Sequence, residues 1–179
     1  MTTRTAWALL AALATTVPAA RAAASPELSG GATGGYGLSL GDAGGGLHLG
    51  LRGDLLFLRE RNRSGALGPY VELLTVGFER GLAGGGLTAL VPGFETLAIL
   101  PSAGFFGAAG DGGGVGAAAQ VFVGLRGHNF HSLYTMQNGL FVEGRSTFGD
   151  GRPQELLFGA RVDLGVLALP FLLVWGAAQ

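Results

Sequence analysis

The sequence contains no cysteine and little charge. Of 179 residues none is cysteine, 13% are charged, and 9% are aromatic. The lack of cysteine excludes disulfides, thiol nucleophiles and thiolate metal sites. The formal net charge is −1, so the chain has no excess of cations to neutralise phosphates, which argues against a nucleic-acid partner. A soluble domain averages about 25% charged residues, and this chain is far poorer in charge.

Long apolar runs are also missing from most of the chain. After residue 25 no run reaches the ~18 apolar residues that mark a membrane helix. A hydrophobic chain of this kind either buries its apolar side chains in a core or exposes them to lipid as strands.

The N-terminus has the layout of a secretory signal peptide. Arg4 provides a positive start, residues 6–17 are apolar and uncharged, and Ala22-Ala23-Ala24 offers a small-residue cleavage site before Ser25. The apolar stretch is too short for a membrane anchor. We therefore predict a signal-peptide helix over residues 1–24 and one domain over residues 25–179.

Apolar and polar residues alternate along three stretches of the chain. Successive strand side chains point to opposite faces, so each stretch predicts a strand with one aliphatic and one polar face. The aliphatic faces hold Leu47, Leu49, Leu51, Leu55 and Phe57; Val115, Ala117, Ala119, Val121, Val123 and Leu125; and Leu156, Phe158, Ala160, Val162, Leu164 and Val166. The opposite faces hold His48, Gly50, Arg52 and Asp54; Gly116, Gln120, Gly124 and Arg126; and Gly159, Arg161, Asp163 and Gly165. This pattern is typical of a barrel with lipid outside and a polar interior.

Glycine-rich turns divide the chain into eight predicted strands. Glycine supplies 35 of the 179 residues, which is close to one in five, whereas proteins average ~7% glycine. The glycines alternate with Leu, Val and Phe. The strands are predicted at roughly 34–42, 46–58, 69–80, 85–91, 97–108, 114–127, 139–148 and 154–166. Residues 72–75 interrupt the alternation, which predicts either a bulge or an error of phase. Residues 164–179 are uncharged and could extend the eighth strand, form a ninth strand, or form a short helix.

The signal peptide, the alternating strands and the Gly/Asp turns together resemble small Gram-negative outer-membrane β-barrel proteins. The resemblance is architectural and covers most of residues 30–166. It implies an all-β, antiparallel up-and-down barrel of about eight strands, with membrane lipid as its partner, and leaves the oligomeric state open. Members of this group typically end on an aromatic residue that the assembly machinery reads, whereas this chain ends on Gln179, with Phe171 and Trp175 further inside. Loops 59–68 and 128–138 fall at the end that holds the N-terminus, where such barrels normally have short turns.

Charged residues on the predicted inner faces come in pairs two residues apart. The pairs are Arg52 with Asp54, Glu143 with Arg145, and Arg161 with Asp163; Arg126 also faces inward. Residues two apart share a face at about 6.5–7 Å. We interpret them as a structural charge ladder inside the lumen. The alternative, a selectivity lining for a pore, is weaker because eight strands leave an interior just wide enough for side chains.

The sequence offers little for metal binding or catalysis. His48, His128 and His131 lack a surrounding ligand cluster, so no metal and no cofactor are expected. His131-Ser132 followed by Glu143 loosely resembles the His, Ser and acid of outer-membrane lipid A deacylases. Those enzymes place one residue between His and Ser, and adjacent strand residues point apart. We therefore predict no catalytic residues and keep a deacylase-like hydrolase as the least favoured hypothesis.

The sequence as a whole predicts a non-enzymatic outer-membrane β-barrel. Its role would be structural or in membrane integrity, with binding or weak passage of small apolar molecules. The alternative is a soluble barrel or sandwich, periplasmic or secreted, that holds a lipid-like ligand and turns its Leu and Val rows inward. Periodicity does not distinguish these two orientations. The shortage of charge favours the membrane.

Overall fold

The chain folds into a closed antiparallel barrel of eight strands, which confirms the predicted fold class. The computed structural model describes residues 26–41, 44–57, 65–94, 96–110, 113–128, 134–149 and 154–177. The predicted signal peptide, residues 1–24, lies outside the described residues. Each strand pairs with the next along the chain, and the eighth pairs with the first. The strands are β1 (Glu27–Ser39), β2 (Gly45–Leu56), β3 (Ala66–Val76), β4 (Arg80–Leu90), β5 (Leu97–Gly110), β6 (Gly114–His128), β7 (Tyr134–Thr147) and β8 (Gln154–Asp163).

All eight strands overlap their predicted positions, and β1, β4 and β7 are clearly longer than the sequence suggested. β6 continues to His128 and β7 begins at Tyr134, so the polar loop predicted over residues 128–138 is too long, and its remaining residues, 129–133, lie outside the described residues. The two strands stay paired as far as His128 and Tyr134 after a register shift between Leu125 and Gly127.

The break in alternation at residues 72–75 is not a bulge. The described pairing of β3 with β2 and with β4 runs through this stretch without a register shift. Leu74 faces the interior and packs against buried apolar side chains there. The alternation breaks in the sequence because one inward position is apolar.

The C-terminal segment is a helix rather than an extended or additional strand. α1 (Leu164–Ala177) follows β8 without an intervening loop. The Asp163 carboxylate accepts a hydrogen bond from the Gly165 N–H at 2.7 Å, which caps the start of the helix. In the described part of the chain, no helix has the length and hydropathy needed to cross a bilayer.

The aliphatic rows lie on the outside of the barrel and the charged rows on the inside. Leu49 and Val121 are 43% and 50% exposed, whereas Arg52 and Arg161 are 3% and 1% exposed. The alternative orientation, with Leu and Val rows packed inside and arginines in water, is therefore wrong for this chain.

Two apolar clusters fill the barrel above and below its middle. The larger one lies toward the end that carries α1 and the 57–65 connection, and it includes Leu56, Leu90, Leu100 and Phe122. The smaller one lies toward the opposite end and is centred on Phe106. Most of the buried charged side chains occupy the level between these clusters.

Candidate functional site

Seven inward side chains form the polar centre of the barrel. We call them the lumen network: Arg52, Asp54, Glu72, Gln120, Glu143, Arg145 and Arg161. In this set three guanidinium groups face three carboxylates, so the formal charges balance. Six members are at most 6% exposed, and the Glu72 side chain is 10% exposed. Balance of this kind matters because an unpaired charge away from water is costly.

Arg52 and Asp54 form a close pair along one strand. The Arg52 Nε and Nη2 groups donate to Asp54 Oδ1 at 3.0 and 2.9 Å. The Arg52 guanidinium also lies over the Tyr70 ring, 3.7 Å from its centroid. The ring supplies a cation–π contact on the face of the guanidinium that makes no hydrogen bond.

Two links cross the full width of the lumen. Arg145 on β7 donates to Glu72 on β3 at 2.8 Å. Arg52 on β2 donates to Gln120 on β6 at 3.2 Å. In a barrel of eight strands, strands four apart stand on opposite walls. Both contacts therefore span the diameter and leave no open passage at their level.

Gln120 connects the two halves of the network. Its side-chain oxygen accepts hydrogen bonds from Arg52 and from Arg161, the latter at 2.5 Å. Its amide nitrogen donates to Glu143 at 2.6 Å. Glu143 in turn accepts a hydrogen bond from Arg145. A neutral amide is the side chain that can both donate to a carboxylate and accept from guanidinium groups.

Little space remains around these groups. A cavity of about 10 Å³ lies among His48, Arg52, Glu72 and Phe141. That volume is about the smallest that holds one water molecule. The interior at this level is thus packed with side chains, as expected for a barrel of eight strands.

Two of the predicted ladder residues lie away from this centre. Asp163 caps α1 with its carboxylate, and its N–H donates to the Asn138 side chain at 3.0 Å. Arg126 lies near the α1 end of the barrel and donates to the Val91 carbonyl at 3.0 Å. Arg161, predicted to pair with Asp163, reaches Asp54 at 3.9 Å as well as Gln120.

Glu72 and Gln120 belong to the lumen network but not to the predicted charge ladder. Glu72 sits where the alternation appears broken, and its inward orientation follows only from sharing parity with Tyr70 on the same strand. Gln120 lies on a predicted inner face, but its side chain is neutral and therefore does not form a charge pair. For both residues, a polar side chain at an inward position of a strand is the feature that indicates membership of the network.

Of the histidines and the residues of the hydrolase hypothesis, the structure describes the side chains of His48 and Glu143 only. His48 is fully buried, with Nε2 3.4 Å from the Phe158 carbonyl and its ring against Phe141. Glu143 is engaged by Gln120 and Arg145. His131 and Ser132 lie outside the described residues, as does the His128 side chain. Across the described ranges, no group of three His, Asp or Glu side chains is arranged to hold a metal.

A second polar site occupies the mouth of the barrel opposite α1. Arg80 and Glu155 form an ion pair there. The pair lines a pocket of about 260 Å³ together with Ser39, Glu79 and Leu157. Leu157 lines both this mouth pocket and the small cavity beside the lumen network, so its side chain lies between the two.

No known family model matches the chain, and neither a curated protein nor a solved structure is significantly similar to it.

Proposed function

We propose that this protein is a non-enzymatic outer-membrane barrel with a structural role, closed to the steady passage of water and ions. The proposal depends most on one observation. Arg145 with Glu72, and Arg52 with Gln120, join opposite walls of the lumen.

The apolar outer surface of the barrel supports the proposal that lipid surrounds it. Large aliphatic and aromatic side chains are exposed on every strand, and Leu28, Val71, Phe105 and Leu140 are among the most exposed. A continuous apolar surface of this extent is unusual for a monomer in water. An apolar outer belt around a polar interior is the arrangement found in barrels that span an outer membrane. The strands, of 10 to 15 residues, are long enough to cross the bilayer at a tilt.

The interior favours a structural role over transport. A pore needs a continuous aqueous path, whereas here one ion pair and one hydrogen bond to a neutral amide cross the middle, and apolar clusters lie on both sides. Passage of a small apolar molecule would require breaking buried ion pairs, at a cost of several kcal/mol. The lumen is therefore better suited to holding the strands together than to conducting a solute.

The location can be tested by fractionating cells that express the full chain. We expect the protein in the outer-membrane fraction, with a different gel mobility in boiled and unboiled samples. Recovery in the soluble fraction, with a single mobility, would contradict the membrane assignment.

The closed state can be tested separately by reconstituting the purified protein into planar bilayers. We expect no steady conductance above that of protein-free membranes. The matched variant carries Arg52→Ser and Arg145→Ser, which remove both cross-lumen links, and we expect it to show conducting events. Steady conductance of the unaltered protein would overturn the closed, structural role while leaving the membrane location intact.

A further inference from the structure

α1 is a helix without a charged residue. Its 14 residues, Leu164–Ala177, contain only apolar side chains and glycine. A helix that is apolar on every side is normally buried rather than facing water. Yet Leu164, Val166, Leu167 and Trp175 are each more than 40% exposed, and Trp175 reaches 71%. The helix thus needs an apolar environment that the described residues do not provide to these four side chains.

The first turn fixes the helix against the outside of the barrel. Gly30 lies on the outward face of β1, and a Cβ built there would come within 3.3 Å of Leu164 Cδ1. Leu164 therefore covers the outer wall and not the mouth. The cap from Asp163, itself held by Asn138, sets the direction in which the chain leaves β8.

The apolar surface of the helix continues the apolar surface of the wall. Leu28 on β1 and Val162 on β8 are exposed on the same outer face, at the same end of the barrel, next to the start of α1. If hydrocarbon covers these wall residues, the same hydrocarbon reaches Leu164 and Leu167.

We propose that α1 is an anchor that lies along the surface of the bilayer around the barrel, with its side chains among the acyl chains near the headgroups. This inference rests on the proposed membrane location. At 1.5 Å per residue the helix is about 21 Å long, shorter than the ~30 Å hydrocarbon core, so it lies along the membrane. Trp175, near its far end, belongs to the residue type that concentrates at the membrane interface.

Tryptophan fluorescence gives a direct test. Trp175 is the only tryptophan in residues 25–179, because the other is Trp7. The processed protein is folded into phosphatidylcholine vesicles whose acyl chains carry bromine at shallow or deep positions. We expect Trp175 emission to shift to shorter wavelength, to be quenched more by shallow than by deep bromine, and to be protected from aqueous acrylamide.

A second reporter separates this inference from the membrane proposal. Val121→Trp in a Trp175→Phe background places the probe in the middle of the outer wall, where we expect stronger quenching by deep bromine. Quenching of this wall probe without quenching of Trp175 would overturn the anchor and leave the membrane proposal standing. Absence of quenching at both positions would overturn both.

A substitution within the helix tests whether contact with lipid is what shields Trp175. Leu167→Lys should release Trp175 to acrylamide and weaken its quenching by bromine, whereas Leu167→Met should leave both unchanged. If Trp175 is shielded from acrylamide and from bromine alike, protein and not lipid covers the helix, and the proposal is wrong.

Discussion

The Arg145 Nη2 group lies 2.8 Å from Glu72 Oε1, which joins two strands from opposite walls of the barrel. Neither side chain is hydrated as it would be in the unfolded chain, since Arg145 is 3% exposed and the Glu72 side chain 10%. Their attraction offsets the lost hydration only while the partners stay together. Removing one partner of a buried pair typically costs about 3–5 kcal/mol, because the other charge is left uncompensated. The lumen network should therefore respond strongly to single substitutions.

Gln120→Leu tests the centre of the network. The change keeps a similar volume but removes the acceptor of Arg52 and Arg161 and the donor to Glu143. Hydrogen bonds to charged groups contribute about 1.5–3 kcal/mol each. Because three such bonds are lost, we expect the free energy of unfolding to fall by about 4 kcal/mol or more. The measurement is a urea titration in vesicles followed by circular dichroism.

The matched control for this substitution is Ala119→Leu, one residue earlier on β6. Its side chain points outward, so the added methyl groups avoid the lumen, and we expect a change within about 0.5 kcal/mol. An equal loss of stability in both variants would show that strand β6 is sensitive to leucine in general and would contradict a specific role for Gln120.

The cross-lumen pair is tested by a double-mutant cycle. Glu72→Gln and Arg145→Met are made singly and together, and the unfolding free energies are compared. Residues in direct contact show interaction energies of about 0.5–3 kcal/mol, and we expect a favourable coupling in this range. A cycle of Glu72→Gln with Arg80→Met in the mouth should be additive within about 0.5 kcal/mol. Coupling of equal size in both cycles would mean that it arises from long-range electrostatic interaction and not from the contact between Glu72 and Arg145.

The alternation of apolar and polar residues, together with the glycine-rich turns and the shortage of charge, predicted the barrel. The alternation carries this information because each strand meets two different environments. Leu49 and His48 are neighbours in sequence and lie on opposite sides of the wall, as the alternation predicts. The alternation does not predict which residues of the lumen network contact each other. Arg145 and Glu72 are distant in sequence, and their meeting depends on how eight strands close around a narrow lumen.

The predicted pairs two residues apart illustrate this limit. Arg52 and Asp54 contact each other as the spacing suggests. Asp163 has the same spacing from Arg161, but β8 ends there and its carboxylate caps α1. Local spacing cannot reveal that a strand is about to end when the following residues are apolar and carry no turn signal. The helix therefore remained one of three alternatives at the sequence level.

Gly104 lies so close to a neighbouring strand and to Tyr70 that no side chain fits at this position. A Cβ built there would lie 2.2 Å from the Gly85 carbonyl oxygen and 2.7 Å from the Tyr70 hydroxyl. Tyr70 in turn supports the Arg52 guanidinium. Overpacking of this kind costs about 1–3 kcal/mol, and we expect Gly104→Ala to lower the unfolding free energy by at least that amount.

Gly107→Ala provides the control on the same strand. At that outward position no described atom lies within 4 Å of the added carbon. We expect little change in the urea midpoint, and a small gain is consistent with the lower entropy of the unfolded chain. If both glycines tolerate alanine equally, the lumen at Gly104 is wider than the geometry indicates.

The outer wall is tested by placing arginine at different depths along β6. Val121 lies in the middle of the strand, level with Gln120, whereas Val115 is its second residue. Arginine facing lipid costs about 2–4 kcal/mol at the bilayer midplane and about 0–1 kcal/mol near the interface. We therefore expect Val121→Arg to fold into vesicles with a much lower unfolding free energy than the unaltered protein, and Val115→Arg to lose little.

The difference between the two arginine variants is the informative quantity, because both remove an exposed valine and add the same charge. A soluble protein would tolerate both changes, since each side chain is at least half exposed, at 50% for Val121 and 60% for Val115. In lipid, the two outcomes separate because Val115 is close enough to the interface for the guanidinium to reach the headgroups. Equal and small effects at both positions would therefore rule out hydrocarbon as the environment of this wall.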